Sequence, residues 1–496
     1  MGALAVDFIS FSIRSANLLI IIHQIGACKQ NFSYFCIMKS ENVFLSVSFM
    51  VSLCLVAASL MVWQGAGVAY VVGGLVIDYV AIALLHRKIG RRVDTLLLLT
   101  AATVSMCLVV LNINYFTIAA GGTASHPVLL NTDAARDWSW ACYHLYGDVE
   151  PVGQWCLHEY LYVALMWLFG RDITVLIVFC SLCYVASIAV MGAIGRRLTG
   201  DCRIGTATMA IALLMFYLLA QSAVLIKDCA VTLTMAVVMF ITIKWKQNER
   251  VTIASALILA ASLTFLGLIR TNYLAFVIAG FFMMSMGAKP QVRKAFWISI
   301  GVCVVAYFLF RFEQYNWNGR IGLTNYVNAD NGTYLLISNE ASAPFENVIG
   351  DYGRLPIYFK ILLLPLTVGL QFLLPLPWGM ERHIIFGPSQ ALAHIGFAWY
   401  IAGAMIVYWL FKCYKHSNRE MQVTVLFGVL MTVMTAYMTS GRISRYCLTY
   451  LPMLLPAAAW VAVKCYRERS LRLWLTIFIV LLALALGACF YLQSIV

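Results

Sequence analysis

Charge is what this sequence has least of. Only 11% of its 496 residues are charged, against 62% hydrophobic, and a soluble domain ordinarily carries about twice that charge. A soluble chain of this length has no way to hide so much apolar surface, even split into several domains. The composition excludes a cytosolic enzyme, a disordered chain and an ordinary nucleic-acid binder. Metal-type cysteine spacing is missing as well. The fifteen cysteines fall mostly inside apolar runs, and the C-x-x-C at Cys180 and Cys183 lies within VLIVFCSLCYVAS, where a thiol packs as a small hydrophobe. A signal-peptide cleavage pattern is absent from residues 1–37, although LLIIIHQIGA is apolar.

What is present is a series of apolar runs long enough to span a bilayer, which takes about 20 residues. The sequence predicts an all-α, polytopic membrane protein. About thirteen transmembrane helices fall at 43–62, 66–86, 95–117, 172–194, 204–224, 228–244, 251–269, 273–288, 295–311, 393–411, 422–439, 447–464 and 472–493. Residues 158–170 are too short to cross. Residues 357–376 are long enough but contain Pro365 and Pro375. If neither crosses, six basic segments share one side: His86–Arg92, Gly195–Arg203, Lys244–Arg250, Lys289–Lys294, Lys412–Glu420 and Lys464–Arg472. They hold 20 of the 34 Lys and Arg, whereas the opposite side holds 11 with 13 acids. Basic residues mark the cytoplasmic side, which also accounts for the net charge of +13 without a nucleic-acid partner. Both odd segments are therefore read as re-entrant or juxtamembrane helices. The organisation becomes an N-terminal extension (1–37), two leading spans (38–94), a membrane module (95–311) with a first outer loop at 118–157, a second outer loop (312–356) and a C-terminal membrane region (357–496).

The unusual polar chemistry falls on the outer side. The first outer loop carries Asp133 and Asp137, an i, i+4 pair that shares one helix face if AARDWSWACYHL is helical. Trp138 and Trp140 give that helix an aromatic side. Asp137 reads as a helix-stabilising acid. N-capping explains Asp133 about as well as catalysis does. Lys227 and Asp228 stand at an apolar hairpin tip where Gly, Asn or Pro would be ordinary. They are either solvated there or face a polar cavity, and a helix beginning at Asp228 would aim its amides at an anion. Arg270 and Asn272 interrupt a long apolar stretch, so Arg270 is either a snorkelling break or a phosphate ligand. Arg442 and Arg445 in TSGRISRY sit at an outer mouth, against the positive-inside bias. The one ionisable residue well inside a span is Asp78, which is poor support for a transporter or flippase, whose ionisable groups lie near the midplane.

In order and sidedness these elements resemble the GT-C superfamily of membrane glycosyltransferases, including protein O-mannosyltransferases and lipid A aminoarabinose transferases. The resemblance rests on NTDAARDWSWACYHLYGD, then HEYLYVALMWLFG, a span ending GRRLTG, the KD turn, the R-x-N-Y turn, LPLPWGMERH and SGRISRY–LP, over most of residues 95–465. It implies sugar transfer from a polyprenyl-phosphate donor to a hydroxyl of a glycan, lipid or protein acceptor, on the extracytoplasmic face of a bacterial inner membrane. The acid of the first outer loop, here Asp133, would be the catalytic base, with Asp228 second. The residues themselves fit that chemistry. Lys227, Arg270, Arg442 and Arg445 are the candidate phosphate ligands, and Trp138, Trp140, His158 and Glu159 the candidates for contact with sugar or acceptor. No cofactor is certain. Asp133 and Asp228 together are the candidates for holding Mg or Mn. The competing reading is an O-antigen-type polymerase or ligase, which would use the outer arginines without an essential outer-loop acid. Cys142 and Cys156, the two cysteines of the long outer loops, are equally readable as a bridge or as free thiols.

Overall fold

The computed structural model describes residues 35–62, 67–89, 91–114, 121–127, 129, 132–151, 158–247, 251–269, 289–321, 357–373, 397–439 and 448–495. Chain contacts divide it into two compact units, Met1–Val51 and Ser52–Val496. The described part of the first unit is helical throughout.

The described residues are helical in every long element and contain one isolated bridge, Thr123–His126. In chain order the helices are α1 (Phe35–Val62), α2 (Val68–Ile89), α3 (Arg92–Asn114), α4 (Thr132–Tyr146), α5 (Glu159–Phe169), α6 (Ile173–Thr199), α7 (Cys202–Leu213), α8 (Phe216–Ser222), α9 (Asp228–Lys246), α10 (Ile253–Ile269), α11 (Pro290–Ile321), α12 (Ile357–Leu373), α13 (Phe397–Tyr408), α14 (Arg419–Thr439), α15 (Leu451–Lys464) and α16 (Arg469–Ile495). Six are long and apolar enough to cross a membrane, or seven if α7 and α8, bent by 64° at a short break, form one span. The chain is an all-α integral membrane protein. Twelve of the thirteen expected spans overlap described helices, and 273–288 lies outside the described residues. The count of thirteen is not reached among them, because several of these helices are short. α10 has 17 residues, α13 has 12 and α15 has 14.

Helix α6 is the axis of the second unit. It packs against α2, α3, α5, α7, α8, α9 and α15. Most of α6 is buried whereas α16 is mostly exposed, so α6 belongs to the protein interior and α16 to its periphery. Local signals set the ends of α6. Asp172 caps the start by accepting from the Thr174 amide at 2.7 Å, and Gly200 closes the end at φ 70°, a left-handed position suited to glycine. Asp201 then caps α7 through the Arg203 amide. The α6–α7 crossing is close because Gly192 and Gly205 face each other. A Cβ on Gly205 would lie 2.8 Å from the Gly192 carbonyl oxygen and 2.2 Å from Arg196 Cγ.

Polar side chains tie the bundle at both ends. Where the basic segments gather, Asp94 accepts from Arg196 at 2.5 Å and from Thr206 at 2.6 Å, and Arg91 donates to Thr206 at 3.0 Å. Inside the bundle, the hydroxyl of Ser105 bonds those of Ser181 at 2.6 Å and Ser222 at 2.7 Å, and Asn112 donates to the Ala223 carbonyl at 2.6 Å. These bonds hold the end of α8 between α3 and α6. Burying such groups is tolerable because they are paired. They fix the path of residues 223–227, and so the point where α9 begins. Asp78 lies in the middle of α2 and is 5% exposed.

Candidate functional site

Helix α4 is buried on nearly every side from Ala134 to Cys142, with Arg136 half-buried. Gly147, at φ 67°, terminates it, and its amide donates to the Tyr143 carbonyl. Helix α5 buries Glu159, Tyr162 and Met166 along its own stripe. It is pinned at its far end, where Tyr70 donates to the Phe169 carbonyl and the Gly170 amide to the Met166 carbonyl. The two helices pack together, and the N-terminus of α5 meets the second turn of α4.

That meeting point holds four polar side chains. Arg136 Nη2 donates to Asp137 Oδ1 at 2.6 Å, and Nε to the same oxygen at 3.0 Å. Arg136 Nε also lies 3.3 Å from Glu159 Oε1. His158 Nε2 lies 3.1 Å from Asp137 Oδ2. Both carboxylate side chains are 0% exposed, and Arg136 is 17% exposed. Burial pushes the Asp137 carboxyl up, but His158, Arg136 and Lys227 outweigh it and hold Asp137 below the usual carboxylate range. Burial also pulls His158 down, opposed by Asp137, and leaves it below the usual histidine range. At neutral pH the pair is therefore a carboxylate and a neutral imidazole. An ionised carboxylate can only accept, so the Nε2–H of His158 donates to Asp137.

The helix-dipole reading of Asp137 does not hold. The dipole acts within the first turn, whereas Asp137 lies in the second turn and is held by Arg136 and His158. Asp133 lies in the first turn of α4, one turn before Asp137 and on the same helix face by register, and its side chain lies outside the described residues. Lys227 is near enough for its charge to act on both Asp137 and His158. Asp228 opens α9 and is 2% exposed. Folding thus brings the KD turn beside residues some ninety positions earlier. Arg270, Arg442, Arg445 and Cys156 lie outside the described residues. Trp138 and Trp140 are 6% and 1% exposed, and Trp140 meets Tyr143 edge-on and His144 at a tilt. Their rings serve packing in this state. Cys142 is a buried free thiol, pushed up to about 11 by burial.

Among the described residues, those grouped closely enough to hold a metal are Asp137, His158 and Glu159, whose ligand atoms lie within 4.8 Å of one another. Asp228 is not in that group, and the Asp133 side chain lies outside the described residues. Arg136 already lies between the two carboxylates of the group. It supplies the positive charge that a divalent ion would bring, so we read the four as a closed ion cluster. Sequence reasoning singled out the HE pair at the start of α5. It missed the partnership with Asp137, which is 21 residues earlier and has no local signature.

No protein-family model matches the chain, and no curated protein matches it. The crystal structure of ArnT from Cupriavidus metallidurans in the apo state is similar over 68% of this chain and 56% of that one, with a TM-score of 0.41 and 13% sequence identity. The chain spans a little over half the length of that protein, and no family or activity is assigned from the likeness.

Proposed function

We propose that this chain is a membrane glycosyltransferase of GT-C type. It moves a sugar from a polyprenyl-phosphate-linked donor to an acceptor hydroxyl of a glycan, lipid or protein, on the extracytoplasmic face of a bacterial inner membrane. The observation that carries the reading is the α4–α5 corner. A buried carboxylate–imidazole pair, braced by Arg136 and Glu159, stands beside Lys227 and the start of α9, at the end of the bundle away from the basic segments. A lipid-phosphate donor needs an apolar flank for its chain and cations for its phosphate. Lys227 supplies one, and Arg270, Arg442 and Arg445 are assigned the rest from sequence. The leaving phosphate stays negative, and cations in a water-poor setting stabilise the charge that develops on it.

The attacking hydroxyl must lose a proton to a base within hydrogen-bond reach. The base belongs to this corner: the sequence choice is Asp133, with Asp228 second. A single attack inverts the anomeric carbon. The test is transfer from polyprenyl-phosphate hexoses and pentoses by the purified full chain in phosphatidylethanolamine–phosphatidylglycerol vesicles. Product with inverted configuration supports the reading. Elongation of a lipid-linked glycan with no use of monosaccharide donors would favour a polymerase, and turnover of neither would end both.

A further inference from the structure

His158 has one ring nitrogen that the ion cluster does not use. Its Nε2–H is committed to Asp137 Oδ2, and its Nδ1, buried with the rest of the side chain, has no hydrogen-bond partner among the described residues. His158 is 4% exposed. A sealed lone pair of this kind forfeits its hydrogen bond to water and gains none in return. Such groups are rare in folded proteins and need an explanation. A residue held only for packing would be as well served by an apolar ring. Balancing Asp137 accounts for one nitrogen only: Arg136 donates twice to Oδ1, His158 Nε2 serves Oδ2, and Nδ1 has no part in either.

The arrangement has a chemical reading. One imidazole nitrogen is fixed by a buried carboxylate, which sets the tautomer, and the other nitrogen keeps a free lone pair. A base oriented by a third group has this logic on unrelated folds. Resting on the glycosyl-transfer reading above, we propose that His158 Nδ1 is the general base of the reaction, with Asp137 as its positioning residue. The acceptor O–H proton passes to Nδ1 as the acceptor oxygen bonds to the anomeric carbon. The bond from that carbon to the phosphate oxygen breaks, and its electron pair leaves with the lipid phosphate. The imidazolium that results is held by Asp137 and returns its proton to water after product leaves. Asp133, one turn earlier in α4, then does not receive the proton.

The charged and titratable groups around His158 shape its pH behaviour. Asp137 and Arg136 face it from α4, Lys227 from the start of α9, and Glu159 and Tyr162 stand on its own helix, with Cys180 and Cys183 of α6 beyond Tyr162. Asp137 favours the imidazolium, whereas burial, Lys227 and Arg136 disfavour it. Activity should therefore fall on the acid side, as Nδ1 takes a proton before substrate arrives.

The test uses the full chain in phosphatidylethanolamine–phosphatidylglycerol vesicles with polyprenyl-phosphate hexose and pentose donors. His158→Gly keeps the start of α5 viable, since glycine is tolerated at an N-cap. It should lose transfer by a factor on the order of 100 or more and regain part of it with added imidazole. Asp137→Asn should lower kcat and move the acid limb to lower pH, because it removes the charge that favours the imidazolium. Nitrogen-15 NMR of histidine-labelled protein, with the His158 signal identified by its loss in His158→Gly, should show a neutral ring protonated on Nε2 at pH 7. A His158→Gln variant with the wild-type rate and pH profile overturns the proposal. So does an inactive Asp133→Asn with an unchanged acid limb in Asp137→Asn and no imidazole rescue of His158→Gly. A wild-type chain that uses no donor while the NMR shows the expected ring defeats the glycosyl-transfer reading instead, and the base assignment falls with it.

Discussion

Removing Arg136 should expose how much of the outer corner depends on one guanidinium. Its side chain is the only cation in hydrogen-bond contact with Asp137 among the described residues, and it lies 3.3 Å from Glu159. Both carboxylates are 0% exposed. In Arg136→Leu the stem of the arginine is replaced by a side chain of comparable bulk, while two buried carboxylates lose the charge between them. Breaking a buried pair from one side costs about 3–5 kcal/mol, because the charge left behind is uncompensated. Denaturant titration of wild type and variant at pH 7 should show a loss of that order. The pH dependence should also weaken. In the wild type, Asp137 is held below its ordinary value, so its contribution is present above the unfolded pKa and is lost as pH falls through the folded one. In Arg136→Leu, burial is opposed by His158 and Lys227 alone, and the folded pKa rises toward the ordinary carboxylate value. The variant then loses less stability than wild type as pH falls, and its deficit should shrink. A variant as stable as wild type at pH 7, or a deficit that grows toward acid pH, would refute the cluster as described.

Four other outcomes can be checked. Asp133→Asn should reduce vesicle transfer about 100-fold if the loop acid acts as base, and by about tenfold or less if it only borders the acceptor; full activity with an inactive Asp228→Asn would move the carboxylate role to Asp228. Transfer should change less than about twofold with excess EDTA, since Arg136 already lies between the two carboxylates; a loss restored by Mg or Mn would overturn the ion-cluster reading and make Asp137, His158 and Glu159 metal ligands instead. Gly205→Ala places a Cβ 2.8 Å from the Gly192 carbonyl oxygen, so α6 and α7 must separate, at a cost of about 1–3 kcal/mol read by the same titration; no change would mean that the crossing is loose. Reporter tags at residues 90, 247 and 416 should read cytoplasmic and tags at 150 and 335 extracytoplasmic, and opposite readings at 150 and 335 would dismantle a one-face site.

What was legible in the sequence follows from how far each signal travels along the chain. Membrane helices are written locally in hydropathy, so α1, α2, α3, α6, α9 and α16 were all anticipated. The eleven residues of α5 were too few to cross, and length alone showed it. The ends of α6 were written locally as well, in Asp172 and in the LTGD turn. The break between α7 and α8 was not. It falls within MAIALLMFYLLAQS, which has neither Pro nor Gly, and it is held in place by hydroxyls from α3 and α6 that lie far off in sequence. Six or seven of the expected spans are long and apolar enough to cross among the described helices, because apolar content fixes burial whereas crossing also needs an unbroken length of helix.

Asp137 shows the limit most sharply. An acid near the start of a helix matches a local rule, and the local rule gave it a bland role. Its burial follows from α5, whose apolar stripe draws it onto α4 and brings His158 and Glu159 with it. Once buried, the carboxylate has to be ionised and paired or neutral and silent. Arg136, adjacent in sequence, settles that choice toward ionised. An ionised Asp137 in turn fixes the proton of His158 on Nε2, which leaves Nδ1 without a hydrogen-bond partner among the described residues. The sequence carried each of these residues in plain view, including the HE pair and the RD pair. What it could not carry was their order of dependence, in which hydrophobic packing buries the acid, the arginine keeps it charged, and the charge orients the base.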